Sequence, residues 1–267
     1  MSLELDNRQR AMLREMGLRV WSPSLKPAPA PSSENAVLVE SVASAPKKEA
    51  SVAASRAADS TPQSWSGLHE AVMQCQRCKQ SVGRRAPVFA QAAPGPVDWL
   101  VLGEPPDDME ERLGQAAAGQ AGLLLDNMLR AVGVGRSSPG GGVEAVMGMQ
   151  SRAYVSNVVK CRPAIMRNPD AHDLASCENH LRCEVALLQP KVILALGRFA
   201  AQALLQGDLP DVASIPLGKL RGQVYRYRGI PVVVSYHPSY LLRTPQDKGR
   251  AWLDLCLALQ QFEQQRR

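Results

Sequence analysis

The sequence predicts an α/β fold with three layers, in which helices cover both faces of a mostly parallel central sheet. Short apolar segments, typical of strands buried on both faces, alternate with longer segments of helical periodicity in the carboxy-terminal part of the chain. This alternation favours parallel pairing, because consecutive parallel strands need a long crossover connection. The 267 residues are enough to build one sizeable core.

The strands and helices can be placed from these apolar segments. The predicted central strands are Val97–Gly103, Tyr154–Val159 and Val192–Gly197. The predicted helices are Gly122–Val132, Ala171–Leu188, Arg198–Leu205 and Lys248–Gln264. Two further strands, Val224–Arg228 and Val232–Tyr236, flank Gly229 and are expected to form a hairpin or a pair of closing strands. The glycine-rich segment 133–150 is interpreted as a loop insertion.

The amino-terminal part of the chain has a different composition. Residues 1–22 predict a short helix that Asp6 can cap and that ends at Gly17. Residues 23–66 are rich in Pro, Ala and Ser and predict a disordered linker, since such a segment buries too little apolar surface to offset its entropy. The folded domain is then expected at 67–267. The absence of a signal-peptide pattern and of a long apolar run predicts a cytoplasmic protein with no membrane contact.

The charge balance is compatible with nucleic acid as a partner. The formal net charge is +6 and the isoelectric point is about 9.1. An ordinary basic soluble protein has the same balance, so charge alone leaves DNA binding possible and does not establish it.

Four of the six cysteines form the strongest chemical pattern in the chain. Cys75 and Cys78 form a Cys-x2-Cys pair before the first strand, Cys161 follows the second strand, and Cys177 lies in the next helix. In a reducing compartment, thiols arranged in this way are better explained as metal ligands than as disulfides. The spacing alone leaves a zinc ion and an iron–sulfur cluster both open. The remaining cysteines, Cys183 and Cys256, are interpreted as packing thiols in helices.

Together with four further motifs, this pattern resembles family 4 of the uracil-DNA glycosylases, the bacterial and archaeal type with a 4Fe–4S cluster. The matching motifs are, in order, Cys75-x2-Cys78, GEPP at Gly103–Pro106, GQAAAGQAGLLL at Gly114–Leu125, SNVVKCRP at Ser156–Pro163, Cys177 and YHPSYLLR at Tyr236–Arg243. The resemblance covers residues 70–262. It implies a glycosylase fold and a 4Fe–4S cluster held by Cys75, Cys78, Cys161 and Cys177.

The resemblance also implies roles for individual residues. Asn157 would read the uracil edge, His237 would stabilise the departing base, and Glu104 would help to position water. The loop that wedges into DNA at the vacated position would comprise Leu241, Leu242 and Arg243. Taken singly, these residues have simpler explanations: Asn157 could cap a loop, His237 could be a core histidine, and the two leucines could be core residues.

Three departures from the family pattern predict a degenerate pocket. Pro105 removes a backbone N–H beside the pocket, and Asp107 replaces a glycine and adds negative charge. Ala117 stands where the family has a phenylalanine that stacks on uracil. Because base–aromatic stacking is worth about 1–3 kcal/mol, its loss should weaken base capture. These departures predict inefficient uracil excision, so that the chain would more plausibly not be an enzyme.

A second resemblance lies in Arg10–Pro23, which is similar to the amino-terminal peptide of the psi subunit of bacterial DNA polymerase III. It implies docking onto clamp-loader subunits through residues 1–22 and a chi-like subunit on the carboxy-terminal domain. The implied anchors are Met12, Leu13, Met16, Leu18 and Trp21. The sequence therefore predicts a psi-type replication accessory protein on a degenerate glycosylase fold. The alternatives are an active family 4 uracil-DNA glycosylase of base-excision repair and a non-catalytic reader of damaged or single-stranded DNA.

Overall fold

Strands and helices alternate along the chain in a computed structural model that describes residues 64–95, 97–137, 149, 151–162 and 168–266. The strands are β1 Trp99–Gly103, β2 Val134–Arg136, β3 Ser151–Asn157, β4 Val192–Leu196, β5 Val224–Tyr227 and β6 Ile230–Ser235. The helices are α1 Trp65–Met73, α2 Asp108–Leu113, α3 Gly119–Ala131, α4 Ala171–Leu188, α5 Arg198–Leu205, α6 Leu217–Leu220, α7 Pro238–Arg243 and α8 Lys248–Arg266. Short 3-10 turns lie at Lys79–Ser81, Val212–Ser214 and Pro245–Asp247.

The strands form one sheet in the order β2-β3-β1-β4-β6-β5. All neighbours are parallel except β5 and β6, which pair antiparallel around the turn at Gly229. The predicted mostly parallel sheet is therefore confirmed, as is the predicted hairpin. Gly103 at the end of β1 lies opposite Asn157 at the end of β3, which brings two of the motifs together.

Helices cover both faces of this sheet because the central strands are apolar on both sides. Leu100 and Leu102 of β1 point into a core that includes residues of α1, α4 and α5. Trp99 and Val101 point to the opposite face, where α3 and α8 pack. Every residue of β1 and β4 is buried, as expected for continuous apolar strands between two helical layers.

Two predictions for the chain outside the central strands need correction. The segment 133–150 is not loop throughout, since β2 pairs in parallel with β3 and buries Val134. Helix α1 begins inside the predicted linker, because Trp65 is 8% exposed and stacks on Phe89 at a centroid distance of 5.0 Å. The indole Nε1 of Trp65 also donates a hydrogen bond to the Ala90 carbonyl. Residues 1–22, with the predicted docking anchors, lie outside the described residues.

The topology predicts a binding crevice at the carboxyl end of β1. The chain leaves β1 toward β2 and β3 on one side of the sheet and later places β4, β6 and β5 on the other side. In open parallel sheets, ligands bind where the connections diverge in this way. None of the described helices is long and apolar enough to cross a membrane.

Candidate functional site

The ends of four adjacent parallel strands meet at this crevice. Glu104 follows β1, Asn157 ends β3, Gly197 follows β4 and His237 follows β6. A side chain on Gly103 would lie 3.6 Å from the His237 Nε2 atom, so the imidazole reaches the end of β1. The fold therefore brings together the three polar residues that the sequence predicted for the site.

Asn157 is 3% exposed, and its amide has a fixed orientation. Its Nδ2 atom donates hydrogen bonds to the Glu104 carbonyl at 2.9 Å and to the Glu110 Oε1 atom at 3.2 Å. Since a backbone carbonyl can only accept, the nitrogen must be on this side of the amide. The Asn157 Oδ1 atom is buried and has no hydrogen-bond partner among the described residues. Asn157 therefore keeps one buried acceptor available for a ligand.

Glu110, which the sequence analysis did not single out, organises this part of the site. Its Oε1 atom accepts from the Ala117 N–H at 2.5 Å as well as from Asn157, and its Oε2 atom accepts from the Asp107 N–H at 2.7 Å. Burial raises the pKa of Glu110, and these three N–H donors oppose that rise. The sequence does contain a signal for Glu110, since an acidic residue three positions after Asp107 is typical of a helix capping box.

Asp107, which replaces a glycine of the family pattern, lies in an unstrained backbone conformation. Its φ of −90° and ψ of −178° are ordinary extended values, and it is the N-cap of α2. The Asp107 Oδ1 atom accepts from the Glu110 N–H at 2.8 Å. The substitution thus completes a capping box. Pro105 and Asp107 line a groove of about 900 Å³ that also contains Glu104.

Ala117 has a left-handed backbone conformation with a φ of +49°. Its N–H donates to Glu110, and its carbonyl accepts from the Arg136 Nη1 atom at 3.0 Å. Gly122 makes room for this carbonyl, because a Cβ there would collide with it. The turn is therefore held from both ends of the Ala117 peptide, while the side chain at this position is only a methyl group.

The Glu104 carboxylate lies at the amino terminus of α5, where its Oε1 atom accepts from the Phe199 N–H at 3.0 Å. Burial raises the pKa of Glu104 to about 7, against the opposing effect of the Phe199 and Arg198 N–H groups and of the Arg198 charge. Gly197 has a φ of +101°, and a Cβ on it would overlap the Glu104 carboxyl group. Glu104 is thus a carboxylate that titrates near neutral pH.

His237 caps α7 and is held in one tautomer. Its Nδ1 atom accepts from the Ser239 backbone N–H at 3.3 Å and lies 2.7 Å from the Ser239 hydroxyl oxygen. Because the backbone N–H can only donate, Nδ1 carries no proton and Nε2 carries it. Burial lowers the pKa of His237 to about 4; Asp107 opposes this and Arg243 adds to it. At neutral pH His237 is therefore an uncharged donor through Nε2–H.

Only part of the predicted DNA wedge lies on the surface. Leu241 is 0% exposed and packs in the interior, so its assignment to a protruding wedge is wrong. The reason is the helical turn of α7, which turns Leu241 inward. Leu242 is 43% exposed, and Arg243 is also exposed. Of the three predicted wedge residues, Leu242 and Arg243 are the exposed ones, and their role at DNA stays a prediction.

The four predicted ligand cysteines lie close together near the carboxyl end of α1. Cys161 and Cys177 are buried, and Cys75 and Cys78 are half-buried. The pKa of the Cys161 thiol is raised by burial first and also by the neighbouring Cys78 and Cys75. Burial likewise raises the pKa of Cys177 to about 12, with Cys161 and Cys78 contributing. Arg84 donates to the Cys161 sulfur at 2.8 Å and to the Met73 carbonyl at 3.0 Å.

The described cysteine sulfurs are more widely spaced than the ligands of a single zinc ion. Among the described residues, no three cysteine sulfurs lie within 4.8 Å of one another. A tetrahedral zinc ion with Zn–S bonds of about 2.3 Å would hold them roughly 3.8 Å apart. In a polynuclear iron–sulfur cluster the cysteines bind different iron atoms, so their sulfurs lie farther apart. Cys183 is buried in α4 as predicted, whereas Cys256 is exposed on α8 and is not a packing thiol.

Comparison with known proteins agrees with this geometry. The profile of the Uracil DNA glycosylase superfamily matches residues 89–259. The chain belongs to this superfamily. It is 30% identical over 198 residues to the type-4 uracil-DNA glycosylase of Pyrobaculum aerophilum, covering 71% of this chain and 90% of that protein. It is also 30% identical over 186 residues to the type-4 enzyme of Thermotoga maritima, covering 68% and 85%.

These relatives correct the functional prediction. A psi-type subunit of DNA polymerase III was expected, but the curated relatives over most of the folded part are uracil-DNA glycosylases, among them the Archaeoglobus fulgidus type-4 enzyme at 31% identity over 151 residues. The main prediction was therefore wrong, and the alternative of a glycosylase is the better supported one. The prediction of a psi-type subunit rested on a short amino-terminal similarity and on the departures at Pro105, Asp107 and Ala117, whereas the similarity to the glycosylases extends over most of the folded part.

Proposed function

We propose that the protein is a uracil-DNA glycosylase that hydrolyses the N-glycosidic bond of uracil in DNA. The observation that carries this proposal is the pairing of one buried acceptor, Asn157 Oδ1, with one neutral donor, His237 Nε2–H, at the crevice. Uracil offers an N3–H donor to the first and a carbonyl oxygen to the second. Cytosine has an unprotonated N3 and would place an acceptor against the Asn157 acceptor.

The reaction needs the base to be rotated out of the stack before it can reach these groups. Leu242 and Arg243 are exposed beside the crevice and would occupy the vacated position. As the C1′–N1 bond breaks, its electron pair passes to the base, and His237 Nε2–H would stabilise the developing negative charge on the carbonyl oxygen. The Glu104 carboxylate, which lines the groove, would orient the water that adds to C1′.

The cysteines Cys75, Cys78, Cys161 and Cys177 would hold a 4Fe–4S cluster. Such a cluster would serve as a cross-link and supply no chemistry to the hydrolysis. It would join the segment after α1 to the end of β3 and to α4. Replacing Cys161 by serine should then lower the iron content and the melting temperature together, whereas the exposed Cys256→Ser should leave both unchanged.

The test is uracil release from single- and double-stranded oligonucleotides that contain one uracil, with cytosine-containing strands as the control. Iron-loaded protein should release uracil and leave cytosine intact. His237→Ala should lower kcat by about 10²–10³, the usual cost of removing one donor to a developing oxyanion. If iron-loaded, folded protein releases no uracil from either substrate, the proposal fails.

A further inference from the structure

A closed network of charged side chains lies directly behind Asn157. The Lys160 ammonium donates hydrogen bonds to the Ser156 hydroxyl at 2.7 Å, to the Asn157 backbone carbonyl at 2.9 Å and to the Glu184 Oε2 atom at 2.5 Å. The Ser156 hydroxyl donates in turn to the Glu184 Oε1 atom at 2.8 Å. All three ammonium hydrogens are used, and both carboxylate oxygens have a partner.

This network is sealed from water, since the side chains of Lys160 and Glu184 are 1% and 0% exposed. Removing two charges from water costs more than their attraction commonly returns, and apolar residues of similar volume often fill such positions without loss of stability. Fold stability alone therefore does not explain the pair. What the pair achieves is geometric: it fixes the backbone carbonyl of Asn157, the residue whose side chain carries the unpartnered acceptor beside Glu104 and Glu110.

The same residue also connects this network to the cysteine site. The Lys160 backbone N–H donates to the Cys177 thiol, and its carbonyl accepts from the Val88 N–H at 2.7 Å. Glu184 and Cys177 both lie on α4 and both face the interior. The side chain of Lys160 thus holds Asn157 while its backbone contacts a candidate cluster ligand.

We propose that Lys160 is a positioning residue for the glycosylase reaction. With Glu184 it holds the end of β3 so that the Asn157 acceptor points at the base, and it links that position to the cysteine site. The inference rests on the proposed function, because it assigns the purpose of the network to base recognition at that site.

The test compares wild type with Lys160→Met/Glu184→Leu, in which apolar side chains of similar size replace the ion pair. Ser156→Ala, which removes two hydrogen bonds and no charge, is the milder variant should the double variant not fold. Lys191→Met is the matched control, since it removes the Lys191–Asp98 ion pair of 2.8 Å at the opposite end of the sheet. Uracil release, melting temperature, iron content and hydrogen exchange of residues 151–162 are measured for each.

We expect kcat/KM of the double variant to fall roughly 10- to 100-fold, the scale of a displacement of about 1 Å in a catalytic group. Its melting temperature and iron content should stay near wild type, and exchange in residues 151–162 should become faster. Ser156→Ala should lie between, and Lys191→Met should match wild type. Wild-type kcat/KM in the folded double variant, or unchanged exchange, would overturn the inference. If wild type itself is inactive, the proposed function fails, and the exchange measurement alone decides whether Lys160 orders the end of β3.

Discussion

The two strand ends that carry Asn157 and His237 are each held by a serine and an ion pair, and the two ion pairs differ in how deeply they are buried. Behind Asn157, Ser156 contacts the Lys160–Glu184 pair. Behind His237, the Ser235 hydroxyl donates to the Asp254 Oδ2 atom at 2.6 Å, and the Arg221 Nε atom donates to the same oxygen at 2.7 Å. At each strand end, a serine that precedes the functional residue therefore contacts an ion pair.

The two ion pairs differ in their exposure to solvent. The Arg221 and Asp254 side chains are 10% and 2% exposed, and the Arg221 guanidinium also stacks on Tyr236 at 4.2 Å and donates to the Arg250 carbonyl. Water can replace a lost partner there, whereas the Lys160–Glu184 pair has no such access. His237 is moreover held by its own helix cap, while the Asn157 amide depends on residues far away in sequence. The Asn157 end should therefore be the more fragile of the two.

The largest expected difference is in stability. Glu184→Gln leaves the buried Lys160 ammonium without its counter-charge and should cost about 3–5 kcal/mol in the free energy of unfolding. Asp254→Asn keeps one oxygen for Arg221 near solvent and should cost about 1–3 kcal/mol. Urea unfolding of both variants measures the difference. Equal losses would show that burial does not distinguish the two ends.

Ala117→Phe should raise kcat/KM by adding a ring that stacks on the base at the Asn157 side of the pocket. Alanine already occupies the left-handed conformation at this position, so phenylalanine adds no new backbone cost. A ring that stacks on the base is worth about 1–3 kcal/mol, or roughly 5- to 150-fold in kcat/KM. Ala117→Leu provides a side chain of similar bulk without the ring and should gain much less. A loss of activity in the phenylalanine variant would contradict the assignment of this position to the base.

Glu110→Gln should weaken base recognition without unfolding the protein. The glutamine amide can accept only through its oxygen, so at least one of the Asp107, Ala117 and Asn157 contacts must break. Loss of a hydrogen bond to a charged group costs about 1.5–3 kcal/mol, and we expect a fall of at least about tenfold in kcat/KM for uracil. Glu111→Gln is the control, since that buried acid contacts Arg85 and Arg162 instead.

The smallest effect concerns pH and separates Glu104 from His237. Since the carboxylate is the active form and its pKa is about 7, kcat/KM should rise with pH up to about 7 and then level off. His237, with a pKa of about 4, stays neutral across this range. The raised pKa means that the contribution of Glu104 to stability is greatest below its ordinary value of 4.5 and is lost as the pH rises through about 7. Glu104→Gln should give a low rate without this inflection.

Local patterns predicted the elements well where capping and periodicity agreed. Helix α4 has the predicted bounds because Asp170 starts it and a long apolar stripe continues to Leu188. β2 was missed because a strand of three residues carries almost no pattern. Trp65 was assigned to the linker on composition. Its place in the core depends on Phe89 and Tyr154, which are both distant in the sequence.

The site itself was predictable only through its motifs. Asn157 and His237 were found by resemblance, since nothing in their immediate sequence shows that parallel strand ends will bring them together. Glu110 was missed because its contact with Asn157 joins residues 47 positions apart. Leu241 and Cys256 were misjudged because which face of a helix is buried depends on packing that a short motif does not encode.

Gly197 sets a boundary for any attempt to reshape the groove by laboratory evolution. The space that its missing side chain leaves is filled by the Glu104 carboxyl group, and its φ of +101° excludes other residues independently. Libraries that vary this position would mostly sample proteins in which Glu104 has been displaced. The Gly197→Ala variant would displace the Glu104 carboxyl group while every polar residue of the crevice remains in the sequence. Under the proposed function, such a variant would be suited to trapping uracil-containing DNA for crystallisation.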